Sequence, residues 1–223
     1  MTISLLFMAA LMGVVAWWLL KQSANTRPWE SKAHYASSED FSGRSFPQPD
    51  AKLGLLVFLA VVTSLFALFI SAYTMRMKLG DWRPLHDPDL LWLNTGVLIL
   101  SSIALQWARV AANRDQIDSV RNGLLAGGFF AFAFMGGQLL AWRQLVDAGY
   151  YAHSNPANAF FYLITGLHAL HVLGGLVAWS MTTIKLLRGT EVARLRLSIE
   201  LCAVYWHFLL VVWVILFGLM LST

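Results

Sequence analysis

The chain has 223 residues, of which 58% are hydrophobic and 13% are charged. Its mean hydropathy is +0.60, and so little polar surface excludes a soluble globular protein. The net charge of +4 comes from basic residues that are spread along the chain, which argues against a nucleic-acid-binding surface. We therefore expect a protein that lies in a lipid bilayer.

Six apolar runs are long enough to cross a bilayer as helices. About 20 apolar residues span the hydrocarbon layer, and a helix satisfies its own backbone hydrogen bonds there. The first run has no basic residue before it and no small-residue cleavage site after it, so we interpret it as a helix and not as a signal peptide. The predicted spans are Ser4–Leu20, Leu53–Met75, Leu90–Ala108, Leu124–Val146, Ala159–Leu187 and Leu197–Leu221.

The basic residues predict how these spans are oriented. Most of the 16 Lys and Arg residues follow the first, third and fifth spans, and basic loops stay on the cytoplasmic side. Both termini should therefore face the periplasm of a bacterial inner membrane. The polar stretch after the first span suits a solvated linker, so we expect an N-terminal helix at 1–20, a cytoplasmic linker at 21–51 and a five-helix domain at 52–223.

Ionisable residues inside the spans are the candidate functional residues, because hydrocarbon disfavours them unless they are paired or hydrated. His168 and His171 lie three residues apart, and Glu200 and His207 lie seven apart, so each pair shares a helical face. The interpretation we favour is structural, with hydrogen bonds between helices or to lipid. Haem ligation, a transition-metal site and a proton relay through Glu200 remain open. The single cysteine, Cys202, is expected to be a packing residue.

Two segments carry more specific patterns. Residues 161–175 read FYLITGLHALHVLGG, and residues 200–217 read ELCAVYWHFLLVVWVILF. These resemble the signature helices of the cytochrome c oxidase subunit III family, in which T-G-x-H-x-x-H-V precedes a glutamate that lies seven residues before the histidine of Y-W-H-F. The L-N-T stretch in residues 90–102 and the glutamine at Gln138 are also similar, so the resemblance covers roughly residues 52–223.

The resemblance implies a supporting subunit of a proton-pumping haem-copper oxidase in aerobic respiratory electron transport. Such a subunit stands against subunit I, in a complex that also contains subunit II, binds phospholipid and sustains proton uptake. Haem and copper belong to the partner subunits, so the resemblance implies no catalytic residue, metal or redox cofactor in this chain. It also implies that Lys185 and Arg188 contact lipid headgroups, although an ordinary cytoplasmic basic flank explains both residues equally well.

Two alternative functions remain. One is the matching subunit of a quinol oxidase or of a nitric oxide reductase-associated homologue, which these motifs do not distinguish. The other is a membrane cytochrome that binds haem b through His168, His171 and His207.

The sequence departs from the family pattern in three places. The family's buried glutamate is absent from Leu53–Met75, so no role of that carboxylate transfers. Leu209 and Leu210 replace the aspartate that follows Y-W-H-F in the family. A single helix before the five-helix domain is intermediate between the long form, which has two, and the short form, which has none; we expect it to pack on a neighbouring subunit.

Overall fold

The computed structural model describes residue 17, residues 48–83 and residues 90–222. Over these residues the secondary structure is α-helical, and five helices are long and apolar enough to cross a membrane. This confirms the all-α prediction for the five later apolar runs. The helices are α1 Gln48–Arg76, α2 Leu90–Asn113, α3 Ile117–Asp147, α4 Pro156–Leu187 and α5 Val192–Leu221.

The first predicted span lies outside the described residues except for Trp17, as do residues 21–47 of the predicted linker and Thr223. The sixth helix and the periplasmic position of both termini therefore stay predictions. Contacts divide the chain into two compact units, Met1–Ala67 and Leu68–Thr223. The polar contacts between helices that are discussed below lie within the second unit.

Several helices are longer than their apolar runs. Helix α2 continues to Asn113 instead of stopping at Ala108, and α5 begins at Val192 instead of Leu197. Hydropathy marks only the part of a helix that fits the hydrocarbon layer, whereas the hydrogen-bonded helix continues into the headgroup region. One consequence is that Arg109, which the sequence places in a loop, belongs to α2.

Local signals determine where the helices start and stop. The side chain of Asn155 accepts a hydrogen bond from the Ala157 N–H at 3.3 Å and caps α4, whose first residue is Pro156. Beyond the last residues of α3 and α4, Gly149 and Gly189 have φ values of 86° and 85°. These left-handed conformations, which glycine adopts without steric cost, end each helix and let the chain reverse.

Small residues let neighbouring helices approach closely. A Cβ added at Gly123 would lie 2.9 Å from the Cβ of Ala108, and one added at Gly127 would lie 2.7 Å from Cγ of Leu105. These contacts join α3 to α2 along a ridge of small residues on α3. On α4 the packing glycine is Gly175, which lies against Tyr205 and Trp206 of α5.

Candidate functional site: polar contacts between α2 and α5

A line of polar side chains joins α2 to α5. On α2 it consists of Ser102, Gln106 and Arg109, which are spaced four and three residues apart and so share one helical face. On α5 it consists of Glu200 and His207, two turns apart. Hydrogen bonds connect the two sets. We call these five residues the polar seam.

His207 binds α2 through both of its ring nitrogens. Its Nδ1 contacts the hydroxyl of Ser102, and its Nε2 lies 3.0 Å from Oε1 of Gln106. With the amide oxygen of Gln106 facing the ring, Nε2 donates to this oxygen and the Ser102 hydroxyl donates to Nδ1 of a neutral imidazole. The imidazole therefore acts as a bridge between the two helices.

Glu200 pairs with a basic residue across the same interface. The Arg109 guanidinium donates to the Glu200 carboxylate at 3.1 Å, and the two side chains are 29% and 27% exposed. An ion pair of this kind reduces the cost of placing each charge near hydrocarbon. It also gives the Glu200 carboxylate a hydrogen-bond donor and a counter-charge from the same chain.

The two histidines of α4 lie in different surroundings, although they are close in sequence. His168 is completely buried, with its ring 5.9 Å from that of Phe134 and 5.1 Å from that of Trp213. His171 is partly exposed, and its Nδ1 lies 2.7 Å from the backbone oxygen of Leu167. The four predicted site residues therefore do not form one cluster: Glu200 and His207 share the polar seam, and His168 and His171 lie elsewhere.

Two observations concern metal and haem binding by the described residues. No three His, Cys, Asp or Glu side chains in the described part of the chain come together in a way that could hold a metal ion. Both ring nitrogens of His207 contact side chains of α2.

A second group of polar contacts lies deeper in the bundle. Buried Asn94 of α2 donates to the side-chain oxygen of buried Gln138 of α3 at 3.3 Å. The indole N–H of Trp213 in α5 donates to the hydroxyl of Thr95 at 2.9 Å. Composition and spacing gave no sign of these contacts, although all four residues lie in the segments that resemble the family pattern: Asn94 and Thr95 in the L-N-T stretch, Gln138, and Trp213 in residues 200–217.

Lys185 and Arg188 lie at the C-terminal end of α4. Both are exposed, and the described residues provide no carboxylate partner for either, whereas Arg109, Arg121, Arg194 and Arg196 all form ion pairs within the chain. The two side chains are therefore available to anionic groups outside the protein.

Comparisons with known proteins agree with the family suggested by the helix patterns. The family model for cytochrome c oxidase subunit III matches residues 40–222. A cytochrome c oxidase subunit 3 of Thermostichus vulcanus is 31% identical over 182 residues, which cover 77% of this chain and 87% of that protein. A probable cytochrome c oxidase subunit 3 of Nocardia farcinica is 32% identical over 181 residues, covering 74% of this chain and 84% of the relative.

One relative has a different organisation. A haem-copper oxidase subunit I+III of Aeropyrum pernix is 28% identical over 185 residues, covering 78% of this chain but only 23% of that much longer protein.

Proposed function

The chain belongs to the cytochrome c oxidase subunit III family, and we propose that it is a non-catalytic supporting subunit of a proton-pumping haem-copper terminal oxidase. Its partners are subunits I and II, which carry the haem and copper and reduce oxygen, with cytochrome c as the electron donor. The match of the family model to residues 40–222 is the observation that carries this proposal.

The organisation of the Aeropyrum pernix relative supports the choice of partner. Its name assigns subunits I and III to one chain, and the region similar to this protein is a minor part of it. Two subunits that occur fused in one protein are expected to stand next to each other when they are separate chains.

The polar seam supports a structural role for the intramembrane groups. Glu200 and His207 are engaged by Arg109, Ser102 and Gln106 of the same chain, so they hold two helices in one arrangement. A chain of this kind stabilises subunit I and sustains proton uptake without electron-transfer chemistry of its own.

We further propose that Lys185 and Arg188 bind phospholipid headgroups. Both are exposed at the end of α4, where snorkelling basic side chains meet anionic phosphates. In this proposal the subunit binds phospholipid, and the haem and copper lie in its partners.

The basic loops also support a location in a bacterial inner membrane, with an N-terminal helix at 1–20, a cytoplasmic linker at 21–51 and both termini in the periplasm. Fusion of a periplasm-dependent phosphatase after Thr223 should give an active enzyme. An active fusion at the loop after α2, together with an inactive one at the C-terminus, would reverse this topology.

Clean deletion of the gene for this chain tests the main proposal. Oxidase purified from the deletion strain should keep its haem content, measured by reduced-minus-oxidised spectra, while its turnover slows or decays during catalysis. Re-expression of the chain is the control and should restore sustained turnover. Loss of the whole haem signal on deletion would contradict the proposal of a supporting subunit.

A further inference from the structure

The polar seam lies unusually deep in the predicted membrane region. Ser102 lies at the middle of α2, which runs from Leu90 to Asn113, and His207 lies at the middle of α5, which runs from Val192 to Leu221. Gln106 and Arg109 follow Ser102 by one and two helical turns, which corresponds to about 6 and 10 Å along the axis. The seam therefore extends from mid-bilayer towards the end where α2 finishes and α5 begins.

The seam faces outward from the bundle. Gln106, Arg109, Glu200 and His207 are all partly exposed, whereas the polar contact between Asn94 and Gln138, elsewhere in the bundle, is buried. An outward-facing group of this polarity is costly against lipid tails, which have no hydrogen-bonding atoms. Something other than acyl chains should cover it.

The Gln106 side chain indicates which chemical group should cover the polar seam. The only hydrogen bond of its side chain within the described residues is the one between Oε1 and His207. If the side-chain amide is rotated by 180°, its NH₂ group donates to the imidazole, and its oxygen is the atom without a hydrogen-bond partner among the described residues. In either orientation one polar end of Gln106 is left for a group outside this chain, near the middle of the bilayer.

The surroundings of the seam suit a helix. Ile103 and Trp107 are exposed on α2 one residue beyond Ser102 and Gln106, and Val211 and Val214 are exposed on α5 beyond His207. The polar seam together with these apolar side chains resembles the interface between transmembrane helices, where a few polar side chains hydrogen-bond within apolar packing.

We propose that a transmembrane helix of the catalytic partner subunit covers the polar seam and presents a hydroxyl, amide or carboxyl side chain to Gln106. This inference rests on the proposed function, which supplies the partner, and it identifies the face of this subunit that meets it. Headgroups lie about 15 Å from mid-bilayer and do not reach this depth. The apolar run Ser4–Leu20 carries no hydroxyl or amide side chain after Ser4, and beyond that residue its only strong hydrogen-bonding side chains are the indole donors of Trp17 and Trp18.

Photo-crosslinking in the assembled oxidase tests the location of this interface. A benzophenone amino acid is placed at Ile103 in native membranes, and the adducts are identified by mass spectrometry. An adduct with the catalytic subunit is expected, and it should vanish in a strain that lacks that subunit. Adducts with lipid only, or with residues 4–20 of this chain, would overturn the inference.

Substitution of Gln106 tests the chemistry. Gln106→Met keeps the length of the side chain and removes its amide, so this subunit should dissociate from the detergent-solubilised oxidase about threefold faster or more. Ser64→Ala is the control, since the exposed Ser64 hydroxyl donates within its own helix to the Ala60 carbonyl oxygen at 3.0 Å; its dissociation rate should be unchanged. Equal rates for the wild type and Gln106→Met would overturn the inference.

The two proposals fail in different ways. If the chain co-purifies with the oxidase but crosslinks through another face, the proposed function stands and this inference falls. If the chain does not co-purify with any haem-containing subunit, both fall.

Discussion

The guanidinium of Arg109 lies 3.1 Å from the carboxylate of Glu200, across 91 residues of sequence. This contact connects the end of α2 to the beginning of α5 and gives the glutamate a partner within its own chain. It also accounts for the presence of an acid in a helix that otherwise fits the bilayer.

Removing one member of this pair should destabilise the protein more than removing both. Arg109→Leu leaves Glu200 without its basic partner, and we expect a loss of about 1–2 kcal/mol, less than the 3–5 kcal/mol of a fully buried pair because both side chains are partly exposed. Combining Arg109→Leu with Glu200→Leu should recover part of that loss. Thermal unfolding of the purified complex measures both.

Arg194→Leu is the matched control for this cycle. Arg194 pairs with Glu191 three residues away, and both side chains are largely exposed, so its loss should change stability by no more than about 0.5 kcal/mol. Strictly additive effects of the two leucine substitutions at Arg109 and Glu200 would show that the pair contributes nothing.

Gly128 should tolerate no side chain. A Cβ there would lie 2.0 Å from Cζ2 of Trp179, whose indole N–H donates to the Leu124 carbonyl oxygen at 2.9 Å. Gly128→Ala should push the indole away and cost about 1–3 kcal/mol. Gly136→Ala in the same helix is the control, since nothing lies within 4 Å of its added Cβ. Melting temperatures that fall equally in both variants would contradict the packing described here.

The ion pair between Arg76, the last residue of α1, and Asp81 in the following loop should make the stability of the protein depend on pH. Arg76 donates hydrogen bonds to the carboxylate of Asp81, and these lower the pKa of Asp81 below its ordinary value. A carboxyl with a depressed folded-state pKa adds stability above its unfolded pKa and loses it as the pH falls through the folded value. Because the pair is exposed, the effect is small.

The corresponding measurement compares Asp81→Asn with the wild type from about pH 6 to about pH 3. The melting temperature of the wild type should exceed that of the variant at the upper end, and the difference should disappear at the lower end. A difference that grows on acidification would mean that the carboxylate is not stabilised by Arg76.

The sequence predicts the helices well and their contacts poorly. Long apolar runs identify α1 to α5, and the seven-residue spacing correctly puts Glu200 and His207 on one face of α5. Their partners on α2 depend on how two helices distant in sequence are aligned, which no local pattern encodes. Arg109 was hidden for a further reason, since hydropathy ends the span at Ala108 while the helix continues to Asn113.

Spacing was a weaker guide on α4. His168 and His171 are three residues apart, a separation of about 60° around the helix, which is enough to bury one ring completely and leave the other partly exposed. The contacts of Trp213 with Thr95 and of Asn94 with Gln138 combine residues that the family pattern marks but that no spacing along the sequence pairs with each other. These residues come into contact only when α2, α3 and α5 pack together.

The absorption spectrum of this subunit, isolated from its partners in detergent, tests most directly whether the redox chemistry lies outside it. We expect only the protein absorption band, with no Soret peak in the oxidised or reduced state, while the intact complex from the same membranes shows haem. A Soret band that stays with the isolated chain and is lost in the His168→Ala or His171→Ala variant would contradict the account.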